Sequence, residues 1–240
     1  MDTSPLLRKL ESIGTVTDEE RDALTNLPGI VKTYAANEDI VQEGDRPLVV
    51  GLLLEGFLCR YQVMPSGKRQ IMSFHIPGDI PDLQSLFIDV MDHSLGALVP
   101  AKVALIPHEV MCRIIDNNPR IAHLLWRDTL IDAAIFRQWI AGIGRRSAYA
   151  RIAHMFCEFA MRMKAVGLTE GDSCELPFTQ AIIADALGLS TVHVNRTLQE
   201  LRLKKLIRLT SGRLTVYDRD GLQQAGEFDP TYLQLKDSAA

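Results

Sequence analysis

The sequence predicts an α+β fold in three consecutive parts, and three observations predict it. Residues 30 to 110 carry apolar or alternating runs punctuated by Gly or Pro roughly every ten residues, the pattern of a sandwich or barrel with tight corners. Residues 118 to 146 hold no proline after Pro119 and repeat apolar residues at helical spacing. Residues 176 to 217 read as two short helices joined by a tight turn, then two short alternating strands. The expected architecture is an N-terminal antiparallel β-roll (a cupin-like jelly roll), one long helix, and a C-terminal winged helix-turn-helix. The boundaries fall at 1–117 for the roll, 118–146 for the helix, 147–225 for the winged domain and 226–240 for a C-terminal tail.

Each element has a local reason. Residues 4 to 27, with Asp18-Glu19-Glu20 ahead of Ala23-Leu24, are expected as short helices laid against the roll. Strands are expected over Val49 to Leu54, Phe57 to Met64, Gln70 to Ile76 and Ala97 to Ile106. Ser66-Gly67 turns one hairpin, and Pro77-Gly78-Asp79 makes another corner. The long helix would run on the order of 40 Å at ~1.5 Å per residue. Leu124, Ile131, Ile135, Trp139 and Gly142 lie close to one stripe, broadened by Leu125, Leu130 and Ala134. So wide an apolar face exceeds what one roll needs to cover, which points to these five as dimerisation residues in a homodimer; a core helix within one chain is the alternative. Ser147 can cap a following helix, Ala148 to Lys164, placing Gly142, Gly144 and Ser147 at or beside a hinge.

The segment from Leu176 to Leu201 carries the most information. Thr179 is a good N-cap, Ile183, Ala184 and Leu187 recur at helical spacing, and Gly188 supplies a left-handed residue to end the helix. Two residues later Ser190 can cap a second helix whose Val194, Leu198 and Leu201 face inward. So short a turn forces the helices apart, as in a helix-turn-helix. Thr191, Val192, Asn195, Arg196 and Gln199 are left on or near the outer face. Arg can pair with guanine, Asn and Gln with adenine, and Val192 can touch a thymine methyl. A merely solvated face of a helical hairpin is the plainer reading.

The next segment favours nucleic acid. Lys204-Lys205 opens a basic, alternating stretch with Ser211-Gly212 at its bend, which makes a wing. Residues 177 to 213 carry a net +4 in a chain whose formal net charge is −4, as suits a phosphate-facing surface on an otherwise acidic protein. The expected DNA-contacting set is Thr179, Gln180, Ser190, Thr191, Val192, His193, Asn195, Arg196, Gln199, Lys204, Lys205 and Arg213. His193 either reaches a phosphate or packs against the first helix.

With these residues in view, the chain resembles the Crp/Fnr superfamily of bacterial transcription regulators. Thr179 to Ile207 looks like the family's DNA-binding signature. Gln42-Glu-Gly-Asp45, Leu53-Leu-Glu-Gly56, Pro65-Ser-Gly-Lys-Arg-Gln70 and Ile76-Pro-Gly-Asp79 look like its cyclic-nucleotide-binding-like β-roll. The resemblance implies a homodimeric regulator that reads a roughly palindromic operator through a 190–204 recognition helix, with RNA polymerase as a partner. Arg196 is the base-reading residue it carries over. Thr191, Val192 and Asn195 depart from the family's well-known members, so the operator is expected to be the protein's own.

The resemblance breaks at the sensor. Where cyclic-nucleotide members carry Gly-Glu-Leu and Arg-Ser-Ala, this chain has Asp82-Leu83-Gln84 and His93-Ser94-Leu95. A neutral imidazole cannot hold a phosphate through two parallel bonds as a guanidinium does. Asp82, Leu83, His93 and Ser94 therefore mark a degenerate pocket, and the effector is expected to be something other than cyclic AMP. Cys59, Cys112, Cys157 and Cys174 are far apart and form no C-x-x-C pair, which argues against an iron–sulfur cluster and against disulfides. No cofactor or metal is expected. A haem- or metal-based sensor using His75, His93 or Cys59 stays open as an alternative, as does a winged helix that docks on protein. Without a catalytic triad, paired carboxylates or a phosphate loop, no enzyme is expected. No apolar run approaches the ~20 residues of a membrane span, and the expected location is the cytoplasm.

Overall fold

A computed structural model describes residues 2–236. It divides into two compact units, one ending at Leu130 and the other beginning at Ile131. The first opens with two helices, α1 (Ser4–Ile13) and α2 (Asp18–Thr25). A capping box starts α2: Thr17 accepts from the Glu20 amide, and the Glu20 carboxylate accepts from the Thr17 amide. Seven strands follow: β1 (Ile30–Tyr34), β2 (Asp39–Val41), β3 (Val49–Glu55), β4 (Leu58–Val63), β5 (Arg69–His75), β6 (Ser94–Ala97) and β7 (Ala101–Pro107). They form two antiparallel sheets, ordered β1-β7-β3 and β2-β6-β4-β5, which is the expected roll.

Tyr34, Val41, Leu53, Leu58, Met91, Leu95, Ala97, Ala101 and Val103, drawn from both sheets, form a buried cluster. The expected single strand over 97–106 is two strands, β6 and β7, because Pro100 cannot donate to a ladder and breaks the run. The Pro77-Gly78-Asp79 corner needs its glycine. Gly78 has φ +103°, and a β-carbon there would stand 2.4 Å from the Pro5 carbonyl oxygen of α1. Close approach of α1 to the roll thus rests on one missing side chain. Helix α3 (His108–Asn117) was not expected, since it is short and follows a strand directly.

Helix α4 (Pro119–Arg145) matches the expected long helix, and the boundary between the units falls within it. The second unit continues with α5 (Ala148–Ala165), β8 (Thr169–Glu170), β9 (Ser173–Glu175), α6 (Gln180–Leu187), α7 (Thr191–Leu203), β10 (Ile207–Thr210), β11 (Arg213–Val216) and α8 (Arg219–Gly226). Ser147 caps α5 by accepting from the Ala150 amide. The four strands form one antiparallel sheet ordered β10-β11-β9-β8, so the wing is wider than its hairpin. Ser211 and Gly212 both take positive φ, 51° and 73°, as a tight two-residue hairpin turn requires.

Of the expected C-terminal tail, residues 226–236 pack on the second unit, and residues 237–240 lie outside the described residues. Phe228 and Leu233 are buried, and a 3-10 turn spans Pro230–Leu233. Phe228 and Tyr232 pack on the His154 ring of α5, with ring centroids 5.0 and 5.9 Å away. The segment lacks helical periodicity, so its anchoring by aromatic contacts left no mark in the sequence pattern.

Candidate nucleic-acid interface

The two helices of the motif are set by their ends. Thr179 accepts from the Ile182 amide at 3.2 Å to start α6. Gly188 ends it in the left-handed conformation, φ 62° and ψ 40°. Ser190 then accepts from the His193 amide at 3.2 Å, so α7 begins two residues after that glycine. Ile183, Ala184, Val194, Leu198 and Leu201 are buried between the helices and the rest of the unit. That burial turns the other face of α7 outward, as the spacing predicts.

On that outer face Thr191, Val192, Arg196 and Gln199 are exposed, and Val192 is 79% exposed. An exposed valine near the start of a helix buries little of its apolar surface within the chain. Among the described residues Arg196 makes no hydrogen bond or ion pair, so its guanidinium remains available for paired bonds to a base. His193 is half-buried.

Three expected contacts are partly spent within the chain. The Asn195 amide donates to the Gln180 side-chain oxygen at 3.2 Å, which ties α7 to the first residue of α6. Lys204 pairs with Glu200 at 2.9 Å and lies over the Tyr149 ring, 4.4 Å from its centroid. Arg213 pairs with Glu170 of β8 across the small sheet. Lys205, by contrast, is exposed on a left-handed backbone, φ 55°, directly after α7.

The expected dimerisation face requires correction. Leu124, Ile131, Ile135, Trp139 and Gly142 are buried within the single chain. The large apolar residues of α4 that remain exposed are Trp126, Leu130, Ile140 and Ile143, at 65%, 55%, 71% and 42%. At ~100° per residue, Trp126 and Ile140 fall roughly opposite the expected stripe, and Leu130, expected at the edge of that stripe, lies beside Trp126 instead. Periodicity detects an apolar face but cannot say which of two faces a domain covers.

The expected pocket residues are also structural. Asp82 is fully buried, and burial pushes its carboxyl up to about 6, against the opposing influence of the Gly51 amide, 2.8 Å away, and of Arg60. Leu83 begins a 3-10 turn. His93 is buried with Nδ1 2.7 Å from Asp92, while Ser94 Oγ accepts from the Glu43 amide at 3.1 Å. Asp82 is bonded to β3 of one sheet, whereas Ser94 opens β6 of the other. Of the side chains weighed as haem ligands, Cys59 is buried in β4, and His75 has its ring nitrogens 2.8 Å from Ser73 Oγ and 3.4 Å from Asp79. Among the described residues, no group of three or more His, Cys, Asp or Glu side chains is arranged to hold a metal.

A link from α5 to the helix-turn-helix has no signature in the sequence. Arg151 donates to the Leu187 carbonyl at the end of α6, at 2.9 Å, and to the Arg146 carbonyl at 3.1 Å. One guanidinium thus holds both the end of α6 and the residue just past α4. A lone arginine on an amphipathic helix gives no sequence signal of such a role.

A winged helix-turn-helix on a chain that opens with an antiparallel roll defines a DNA-binding transcription regulator rather than an enzyme. Residues 150–225 match the Crp-like helix-turn-helix domain, and residues 31–118 match the cyclic nucleotide-binding domain; together they cover more than half the chain. The chain belongs to the Crp/Fnr superfamily. It is similar to the nitrogen fixation regulation protein FixK of Bradyrhizobium diazoefficiens, with 26% identity over 77% of each chain. It is also 27% identical to the transcriptional activator protein FnrL of Cereibacter sphaeroides, over 76% of this chain and 74% of that one. The solved structure of FixK2 from Bradyrhizobium japonicum shares the fold, with TM-score 0.75 and 23% identity over 83% of this chain and 98% of that one. Among the described residues, no helix is long and apolar enough to cross a membrane.

Proposed function

We propose that the protein is a homodimeric, cytoplasmic regulator that reads a roughly palindromic operator and acts on RNA polymerase. The observation that carries this reading is the outer face of α7, where Val192, Arg196 and Gln199 stand exposed while the opposite face is buried. Thr179, Gln180, Ser190, Thr191, His193 and Lys205 border that face and contact bases or the phosphate backbone. Two copies paired through the Trp126, Leu130 and Ile140 face of α4 would set their recognition helices one helical turn of DNA apart, about 34–36 Å. The roll biases this arrangement in response to a signal other than cyclic AMP, because Leu83 and His93 replace the side chains that hold the ribose and the cyclic phosphate.

Genome-wide capture of DNA bound by the protein tests the reading. The expected result is one recurrent motif with two inverted half-sites. Recovery of fragments without a shared motif, or of none at low salt, overturns it.

A further inference from the structure

A buried polar chain in the second unit cannot be satisfied without one extra proton. His154 Nδ1 lies 3.1 Å from the Gly226 carbonyl oxygen, which only accepts, so Nδ1 carries a hydrogen. In a neutral imidazole Nε2 is then an acceptor, and its partner at 3.1 Å is the Tyr232 hydroxyl. That hydroxyl has a single hydrogen and also lies 2.8 Å from Glu158 Oε2. If Tyr232 donates to His154, its oxygen faces the Glu158 oxygen with lone pairs on both sides unless the carboxyl is protonated. If Tyr232 donates to Glu158, the imidazole must be doubly protonated. Either way the chain holds one proton more than a neutral histidine and an ionised glutamate supply.

The surroundings choose where that proton sits. Burial pushes the Glu158 carboxyl upward and holds the His154 imidazole down at about 4. Around Glu158, Arg162 lies 3.7 Å away and favours ionisation, as does the hydrogen bond from Trp139, while Asp132 disfavours it; Tyr232 favours ionisation only in the arrangement in which its hydroxyl donates to the carboxylate. Arg146 acts on His154 and Tyr232, favouring the neutral imidazole. These influences favour the neutral imidazole, which assigns the extra proton to the carboxyl. Glu158 then donates to Tyr232, Tyr232 to His154, and His154 to Gly226.

The same carboxyl reaches α4, because the Trp139 indole donates to Glu158 Oε2 at 3.2 Å. Gly226 permits the approach of α8 to α5, since a β-carbon there would meet the His154 amide nitrogen at 2.6 Å. We propose that Glu158 is a protonated positioning residue. Through Trp139 and Tyr232 it fixes the C-terminal half of α4 and the 226–233 segment to α5, and so fixes the recognition unit on the helix that pairs the two copies. The positioning role rests on the DNA-binding reading, whereas the protonation does not.

Infrared difference spectra of the full chain at neutral pH, parent against Glu158→Gln, test the proton. A buried carboxylic-acid band is expected in the parent and lost in the variant. The parent should also lose stability as pH rises through the raised carboxyl value, with E158Q flattening that dependence, because glutamine reproduces the neutral acid. No lost band together with an unchanged pH profile overturns the assignment. For positioning, the probe is a randomised duplex library. Parent and E158Q are expected to enrich sites with one fixed half-site spacing, while Trp139→Phe, which lacks the indole N–H, enriches the same half-site with relaxed spacing. A Trp139→Phe variant with the parental spacing overturns the positioning role. Failure of every protein, parent included, to enrich any duplex removes the DNA-binding reading and the role with it, leaving the infrared result standing.

Discussion

Asn195 of the recognition helix donates its side-chain amide to Gln180, the first residue of the preceding helix, at 3.2 Å. The bond ties the outer face of α7 to the start of α6, so a residue that looks like a base reader also holds the motif together. Asn195→Ala is expected to destabilise the protein by about 0.5–1.5 kcal/mol, the net worth of an ordinary hydrogen bond. Urea unfolding reads this. An unchanged midpoint would show that the bond contributes nothing and leave Asn195 solely to DNA.

Arg196 makes no such bond, and its loss should be felt only on DNA. Arg196→Ala is expected to cost roughly 1–3 kcal/mol at the captured site and to relax one base position. Its melting temperature should match the parent's. Footprinting with the variant at a panel of single-base substitutions checks both halves, and parental discrimination would contradict the assigned face.

Lys204 and Lys205 are neighbours with different duties. Lys204 is held by Glu200 and lies over Tyr149, and the hydrogen bond to Glu200 raises its ammonium pKa. Lys205 is the better placed of the two for phosphate. Lys205→Gln is expected to weaken binding to all sequences and reduce the salt slope by about one unit. Lys204→Gln should change that slope less. Titrations of one duplex at several salt concentrations compare them directly, and equal slopes for the two variants would refute the distinction.

The two faces of α4 make opposite predictions. Ile135 is 4% exposed and Ile140 71% exposed on the same helix. Ile135→Ala should destabilise the fold by about 2–5 kcal/mol, as for other buried aliphatic truncations. Ile140→Glu should leave the monomer folded and break the pairing of two copies. Sedimentation alongside thermal melting separates these effects; a dimeric I140E would redirect the interface elsewhere.

Asp82 sets a pH dependence in the roll. Its folded value, about 6, lies above the usual 3.8, so folding binds a proton in between. The contribution is fully present below the unfolded value and is lost as pH rises through about 6, a loss of about 3 kcal/mol at ~1.4 kcal/mol per unit. Asp82→Asn should remove this dependence and be more stable than the parent above pH 7. Denaturant unfolding across this range measures it, and parallel pH curves for parent and variant would exclude Asp82 as the source.

The helix-turn-helix is legible in the sequence because its signals are local. Thr179, Gly188 and Ser190 act on amides within three residues of themselves, and a cap or a left-handed glycine works the same way in any context. The same holds for the Ser211-Gly212 turn of the wing. Pocket residues such as Asp82 and His93 were visible only as departures from a pattern. Whether they faced a ligand or the interior depended on partners such as Gly51 and Asp92, set by how strands cross.

What the sequence determined by itself is therefore the succession of elements: a roll of short strands, one long helix, and a capped helix pair with a wing, each specified by contacts a few residues apart. The tertiary structure decided which face of α4 is buried, which polar side chains are spent on one another, and that residues 226–233 belong to the core of the second unit. Those outcomes join residues far apart in the chain, Trp139 to Glu158 and Glu158 to Tyr232 among them. Apolar spacing and residue type report a preference for burial but not a partner, and the partner is chosen only when distant segments pack.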